Sequence, residues 1–115
     1  MGGTKYGIDY LRSDAFEKYA DQSKAPWTCQ LENAIGDLHI VMSEYRKGYF
    51  RFSHTVSRCS DTQLAQDAEF QVARCLEGMA LRNDAVAAYE AFAKKYPENP
   101  RARSAARSAQ ILRGL

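Results

Sequence analysis

Apolar residues recur every three or four positions along this chain, the spacing that places them on one face of an α-helix. The pattern predicts a first helix over about residues 7–21 and a second over about 26–45. A third helix follows directly, and its apolar face carries Tyr45, Tyr49, Phe52 and Val56. The first half of the chain is therefore predicted to be helical almost throughout.

Three further helices are predicted in the second half, each preceded by residues that favour a helix start. Any of residues 60–62 can cap the first of them, and Asn83 or Asp84 can cap the second. Asn99 and Pro100 then suit the cap and first position of the last helix. No segment alternates apolar and polar residues as a half-buried strand does, and the turns are short. We therefore predict an all-α fold of about six antiparallel helices.

The chain also repeats itself with a period of 37 residues. A shift by that length places Ile35 on Val72 and Gly48 on Ala85. A period in the thirties that contains two helices is typical of stacked helical hairpins, because one hairpin cannot bury its apolar face alone. The predicted single domain comprises an N-terminal packing helix (1–26), a first, weaker repeat (27–63), a second, stronger repeat (64–100) and a C-terminal capping helix (101–115).

The second repeat resembles the tetratricopeptide repeat (TPR) family. Val72 and Ala73 stand at the Leu-Gly pair of that family's pattern, Tyr89 at the aromatic that follows and Pro97 at the closing proline. The first repeat departs from the pattern with Ser60 at the closing position. About the last fifty residues are similar to bacterial cell-envelope members of the family, such as the Tol-Pal-associated coordinator protein and the outer-membrane assembly lipoproteins.

This resemblance implies a short α-solenoid in the bacterial periplasm or cell envelope, which binds a segment of another protein in a concave groove. The first helix of each hairpin would line that groove. Carried over to this sequence, the partner-binding residues are Asn33, Asp37, Ile40, Asp67, Phe70, Arg74, Glu77 and Arg107. Phe50 lies off the buried stripe of its helix, so we expect it either to pack against the first helix or to contact a partner or a second copy.

The net charge does not indicate the kind of partner, since sixteen basic and fourteen acidic side chains give only +2. After Glu98 the chain holds arginines but no acidic residue. We expect these arginines to solvate the last helix, with binding of an acidic partner or a nucleic acid as the alternative. Self-association of a fragment of a longer array is a further alternative. No apolar run is long enough to span a membrane.

The three cysteines and two histidines lack the paired short spacing of a zinc site, so no metal site is predicted. Cys29 and Cys59 are predicted at the same end of one hairpin, where a disulfide is geometrically allowed, although the sequence slightly favours two free cysteines. Cys75 is predicted to be a small buried hydrophobic residue. Because no nucleophile motif or phosphate-binding glycine loop occurs, we expect no catalytic residue and no cofactor.

Overall fold

The computed structural model describes residues 26–115, which form five helices joined by short turns. We number these α1 (Pro26–Val41), α2 (Tyr45–Arg58), α3 (Gln63–Gly78), α4 (Arg82–Lys95) and α5 (Ala102–Arg113). No β-strand occurs in this part of the chain, so the predicted all-α class is confirmed. The N-terminal packing helix predicted within residues 1–26 lies outside the described residues.

The helix boundaries repeat with the period that the sequence shows. Helices α1 and α3 end at Val41 and Gly78, and α2 and α4 end at Arg58 and Lys95; in each pair the residue numbers differ by 37. The same interval separates the starts of α2 and α4. The fold is therefore repeat-like, with a helix pair as its unit.

The turn within each helix pair repeats as well. Ser43 and Ala80 have positive φ angles, 58° and 60°. The amide of the next residue then donates to a carbonyl five positions back: Glu44 N to His39 O at 2.7 Å, and Leu81 N to Leu76 O at 3.0 Å. A left-handed residue with this hydrogen bond ends a helix. This turn ends α1 at Val41, earlier than the predicted Tyr45.

The structure confirms one of the three predicted helix starts and differs at the other two. Thr62 caps α3, since its hydroxyl accepts a hydrogen bond from Ala65 N at 3.2 Å. The prediction that Asn83 or Asp84 caps α4 is wrong, because the repeated turn already starts that helix at Arg82. Helix α5 begins two residues after Pro100, at Ala102. The cause is Asn99, whose Oδ1 accepts from Arg101 N at 2.9 Å and closes a turn ahead of the helix.

Each described helix packs mainly against its neighbours in the chain, and α1 also contacts α3. The larger core cluster joins α3, α4 and α5 and contains Ala73, Ala85, Val86, Tyr89, Phe92, Ala105, Ala109 and Leu112. A smaller cluster of Phe52, Ala68 and Cys75 joins α2 to α3. The small alanines on α5 let that helix approach its neighbours closely, because little side-chain volume separates the backbones.

The first helix pair buries charge as well as apolar surface. Glu32 is only 1% exposed, and its carboxylate lies 3.7 Å from guanidinium nitrogens of both Arg51 and Arg58. His39, equally buried, lies with Nδ1 2.9 Å from Glu44 Oε1. Buried charges are costly unless they are paired, so these contacts fix the orientation of α2 on α1.

A disulfide between Cys29 and Cys59 ties the start of α1 to the end of α2. The sequence slightly favoured two free cysteines, and the structure corrects that expectation. The short turn brings the two Cα atoms to 6.6 Å, within the range that a disulfide spans. Cys75 is free and buried, and burial raises the pKa of its thiol to about 11.

Thiol titration checks this pairing. When the chain is unfolded without a reductant, we expect one thiol to react, that of Cys75, because the other two cysteines form the disulfide. The native chain is expected to react very slowly at about pH 8, since its buried thiol stays protonated and is shielded from the reagent. Three reactive thiols in the unfolded, unreduced chain would contradict the disulfide.

Candidate functional site

Two pockets follow one another along α1 and α3. The first encloses about 260 Å³, and we call it the polar pocket; its lining is Gln30, Asn33, Ala34, Asp37, Phe52, Leu64, Asp67, Gln71 and Arg101. The second encloses about 250 Å³, and we call it the end pocket; its lining is Ile40, Tyr45, Arg74, Glu77 and Gly78. Together they form what we call the α1–α3 groove.

Asn33 sits between the two helices that form the polar pocket. Its Nδ2 donates to the backbone oxygen of Leu64 at 3.2 Å, which orients the side chain across the gap. Its Oδ1 is buried and accepts no hydrogen bond. On α3, Asp67 accepts a hydrogen bond from Gln63 Nε2 at 3.1 Å, which restrains that carboxylate. The pocket thus holds fixed acceptors.

Partial desolvation and the neighbouring charges of the polar pocket shift the pKa of Asp37. Partial desolvation raises the pKa of Asp37, and the nearby Asp67 raises it further. Arg101 and Arg74 oppose both effects but do not cancel them. Ionised Asp37 is therefore held in an environment that favours it less than water does.

This shift predicts a small, pH-dependent cost to stability. Because folding raises the pKa of Asp37, ionisation opposes folding above that pKa, and the cost disappears as pH falls through it. Asp37→Asn is therefore expected to raise the free energy of unfolding slightly at about pH 7 and to have little effect at about pH 3. Urea denaturation of both chains at the two pH values measures this. A variant less stable than the parent at neutral pH would contradict it.

The end pocket combines an apolar wall with a charged one. Ile40 and Tyr45 form the apolar side, and the Tyr45 ring lies so close to Gly78 that any side chain there would clash with it. Opposite, Glu77 Oε1 accepts a hydrogen bond from the Tyr89 hydroxyl at 2.7 Å. Burial and this hydrogen bond raise the pKa of Tyr89, so its hydroxyl remains a donor. Glu77 is thereby held against α4.

The structure brings together six of the residues that the resemblance assigned to partner binding. Three of them line the polar pocket, and these are Asn33, Asp37 and Asp67. Three line the end pocket, and these are Ile40, Arg74 and Glu77. They come from α1 and α3, one period apart, so the 37-residue repeat is what aligned them.

The other two residues that the resemblance assigned, and Phe50, lie elsewhere. Phe70 is half-buried in the core, with its ring centroid 5.9 Å from that of Tyr89 and 5.5 Å from that of Phe92. Arg107 is exposed on α5 and is not among the groove-lining residues. Phe50 is 53% exposed on α2, outside the groove, and its ring lies 4.4 Å from that of His54.

Arg101 lines the polar pocket although the sequence reading placed it only among the C-terminal arginines. Its guanidinium carbon lies 5.2 Å above the ring of Phe70, a cation–π contact that holds the side chain at the pocket edge. The repeat carried the missing signal, because Arg101 stands one period after Leu64, which lines the same pocket.

A larger pocket of about 380 Å³ opens on another side, between α2, α3 and α4. Small residues, among them Ser53, Ala88 and Ala91, leave this space, and a salt bridge of 3.1 Å between Lys95 and Glu69 lies at its rim. Its lining is mostly apolar. Recognition by directed hydrogen bonds therefore favours the α1–α3 groove.

Comparison with protein-family models, curated proteins and solved structures found no match to this chain. Within residues 26–115, no helix is both long enough and apolar enough to cross a bilayer. The same part of the chain contains no group of three or more His, Cys, Asp or Glu side chains placed to hold a metal ion.

Proposed function

We propose that this chain is a non-catalytic scaffold that binds a segment of another protein in the α1–α3 groove. The observation that carries the proposal is the succession of two pockets along the same two helices, each with polar groups beside an apolar wall. Such a lining suits a segment that presents several side chains in a row.

We further propose that the helices stack as TPR-like hairpins, with α1, α3 and α5 lining the concave side. The recurrence of both helix boundaries and left-handed turns every 37 residues supports this arrangement. In such a stack α5 packs against α4. Its arginines Arg103 and Arg107 are exposed.

The disulfide supports a site of action in an oxidising compartment, because cytosolic proteins keep their cysteines reduced. Together with the resemblance of the second repeat to envelope proteins, it favours the bacterial periplasm. We therefore propose that the chain is an adaptor in a bacterial cell-envelope complex.

A matched pair of variants tests groove binding. Peptides are first selected from a displayed random library on the immobilised protein, and dissociation constants are then measured. Arg74→Glu, in the end pocket, is expected to weaken binding by about tenfold or more, since a charge-assisted hydrogen bond contributes roughly that much. Arg82→Glu makes the same charge change in the first turn of α4, at an exposed residue that lines neither pocket, and is expected to leave affinity within about twofold.

Equal affinities for both variants, with unchanged unfolding curves, would overturn groove binding. We choose Arg74 over Phe70 because Phe70→Ala also removes an aromatic contact from the core. A loss of binding in that variant would not distinguish a binding defect from partial unfolding.

Salt dependence separates this proposal from recognition of an acidic partner or a nucleic acid through α5. On that helix Arg103 and Arg107 are exposed, whereas Arg113 pairs with Glu90 at 2.6 Å. Binding through the arginines would weaken steeply as salt rises, and Arg107→Glu would abolish it. Groove binding is expected to change little with salt and with that substitution. Self-association is a further alternative, and size-exclusion chromatography with light scattering measures it directly.

A further inference from the structure

One face of α3 packs on the helix that precedes it, and the matching face of α1 is also apolar. On α3 this face consists of Ala68, Val72 and Cys75, which pack with Phe52 of α2. The residues one period earlier lie on α1, and they are Leu31, Ile35 and Leu38. Ile35 is 0% exposed, although it belongs to neither of the two core clusters named above. The chain that precedes α1 lies outside the described residues, and it is the nearest candidate to cover this face.

The segment before α1 has the length and position that a further repeat helix requires. Helix α2 runs over Tyr45–Arg58, and a shift back by 37 residues places it on residues 8–21. This range coincides with the first helix that the apolar pattern predicts. Residues 59–62 join α2 to α3, and the four residues 22–25 stand between 8–21 and α1 in the same way. We call residues 8–21 the N-terminal segment.

The N-terminal segment is apolar at the positions that α2 uses to contact α3. On α2 these positions are Tyr45, Phe52 and Val56. One period earlier the sequence holds Ile8, Ala15 and Tyr19. The match keeps the apolar character of each position, although the residue types differ. The same face of the repeat is therefore available for packing in the N-terminal segment.

The sizes of the side chains are exchanged between the two copies of this contact. The large ring of Phe52 meets the small Ala68 and Cys75 where α2 packs on α3. One period earlier the small residue is Ala15, and the large ones are Leu31 and Leu38 on α1. Cores accept substitutions that conserve total volume far better than those that add or remove it. The exchange indicates that these positions share one packed space.

We infer that the N-terminal segment packs on α1 as α2 packs on α3, with Ala15 against Leu31 and Leu11 against Leu38. The occupant of this apolar face is thus the chain itself, and the stack contains six helices. Leu31 and Leu38 are then not open to a partner or to a second copy. The inference rests on the proposed stacking of the helices and does not depend on peptide binding in the groove.

A disulfide trap tests the register of this contact. A β-carbon built at Gly48 lies 3.1 Å from Cys75 Sγ, close to the separation of about 3 Å that these two atoms have in a disulfide. One period earlier stand Leu11 and Leu38. The full chain with Leu11→Cys, Leu38→Cys and Cys75→Ala is therefore expected to form a second disulfide under mild oxidation. Thiol titration after unfolding without a reductant should then find no free thiol.

The matched control moves one cysteine by a single position. Arg12→Cys replaces Leu11→Cys, and it stands one period before Tyr49, which is exposed on α2. This pair is expected to keep two free thiols after the same oxidation. Two free thiols in the trap variant, or equal cross-linking of the trap and the control, would overturn the inference.

A second measurement uses the exchanged volumes. Ala15→Phe adds a ring opposite Leu31 and is expected to raise the equilibrium constant of unfolding by about tenfold, the effect of moderate overpacking. In a Leu31→Ala background the ring has room, so the same substitution should cause little or no loss. Ser13→Phe is the control, because Ser13 stands one period before the exposed Phe50; it should have little effect in either background.

Additive effects of Ala15→Phe and Leu31→Ala would contradict the proposed contact even if both variants stay folded. Urea denaturation provides all of these values, and neither measurement uses a ligand. A groove that binds no peptide would leave the disulfide trap and the volume exchange unchanged. The proposed function and this inference can therefore fail separately.

Discussion

Removal of the disulfide, by Cys29→Ala with Cys59→Ser, is expected to lower the free energy of unfolding by about 3 to 4 kcal/mol. The two cysteines are separated by 30 residues, so the bridge closes a loop that holds nearly all of α1 and α2. The bridge restricts the unfolded chain, and the loop-closure estimate for about 30 residues gives this magnitude. Urea denaturation of the double variant and the parent measures the difference.

Cys75→Ala is the matched control, because it also removes a buried sulfur but leaves the bridge intact. It is expected to cost only about 1 kcal/mol, as for the loss of a small group from a core. A reductant should destabilise the parent and this control alike, and should leave the double variant unchanged. A parent whose unfolding midpoint does not move on reduction would contradict the stabilising role of the disulfide.

The sequence predicted the helical class and the period because both depend on which positions are apolar. The exact ends of the helices depend instead on the backbone conformation of the turns. Ser43 and Ala80 end α1 and α3 in left-handed conformations, and neither is the glycine that usually marks such a turn. The backbone hydrogen bonds that stabilise these turns leave no trace in side-chain identity. The predicted second helix therefore ran past Val41 to Tyr45.

The sequence predicted which residues share one face of the repeat, but it did not predict which of them line a pocket, pack in the core or face the solvent. Asn33, Phe70 and Arg107 stand one period apart, so the repeat assigns all three to the same face. In the structure Asn33 lines the polar pocket, whereas Phe70 packs on Tyr89 and Phe92 and Arg107 is exposed. The difference arises because α4 offers two aromatic rings to Phe70. A repeat pattern does not specify such local partners.

Glu32 illustrates the same limit in the core. A glutamate carries no signal of burial in the pattern of apolar residues. The structure buries its carboxylate beside Arg51 and Arg58 instead. The pattern of apolar residues cannot predict such a buried ion pair, because both partners are polar residues that it places on the surface.

Phe52→Ala is expected to lower the free energy of unfolding by about 3 to 5 kcal/mol, the usual cost of emptying an aromatic site in a core. Phe52 is 1% exposed and packs against the backbone of α1 at Gly36. A β-carbon built at Gly36 would lie only 2.5 Å from Cζ of that ring. Urea denaturation measures the loss, and a milder variant, Phe52→Leu, keeps the chain folded for the comparison that follows.

Gly36→Ala distinguishes close packing from intrinsic helix preference, because the two have opposite signs at this position. Helix propensity alone would make the variant more stable by about 1 kcal/mol. Overpacking against the Phe52 ring is expected to cost about 1 to 3 kcal/mol, so we expect Gly36→Ala to destabilise the parent. In the Phe52→Leu background the opposing ring is gone, and the same substitution should become neutral or stabilising by up to about 1 kcal/mol.

Ala73→Gly, one period later in the buried core, supplies the control and should destabilise both backgrounds equally. If Gly36→Ala instead stabilised the parent, the Phe52 ring would have to move aside at little cost. The close contact between α1 and α2 would then not be what selects glycine at this position.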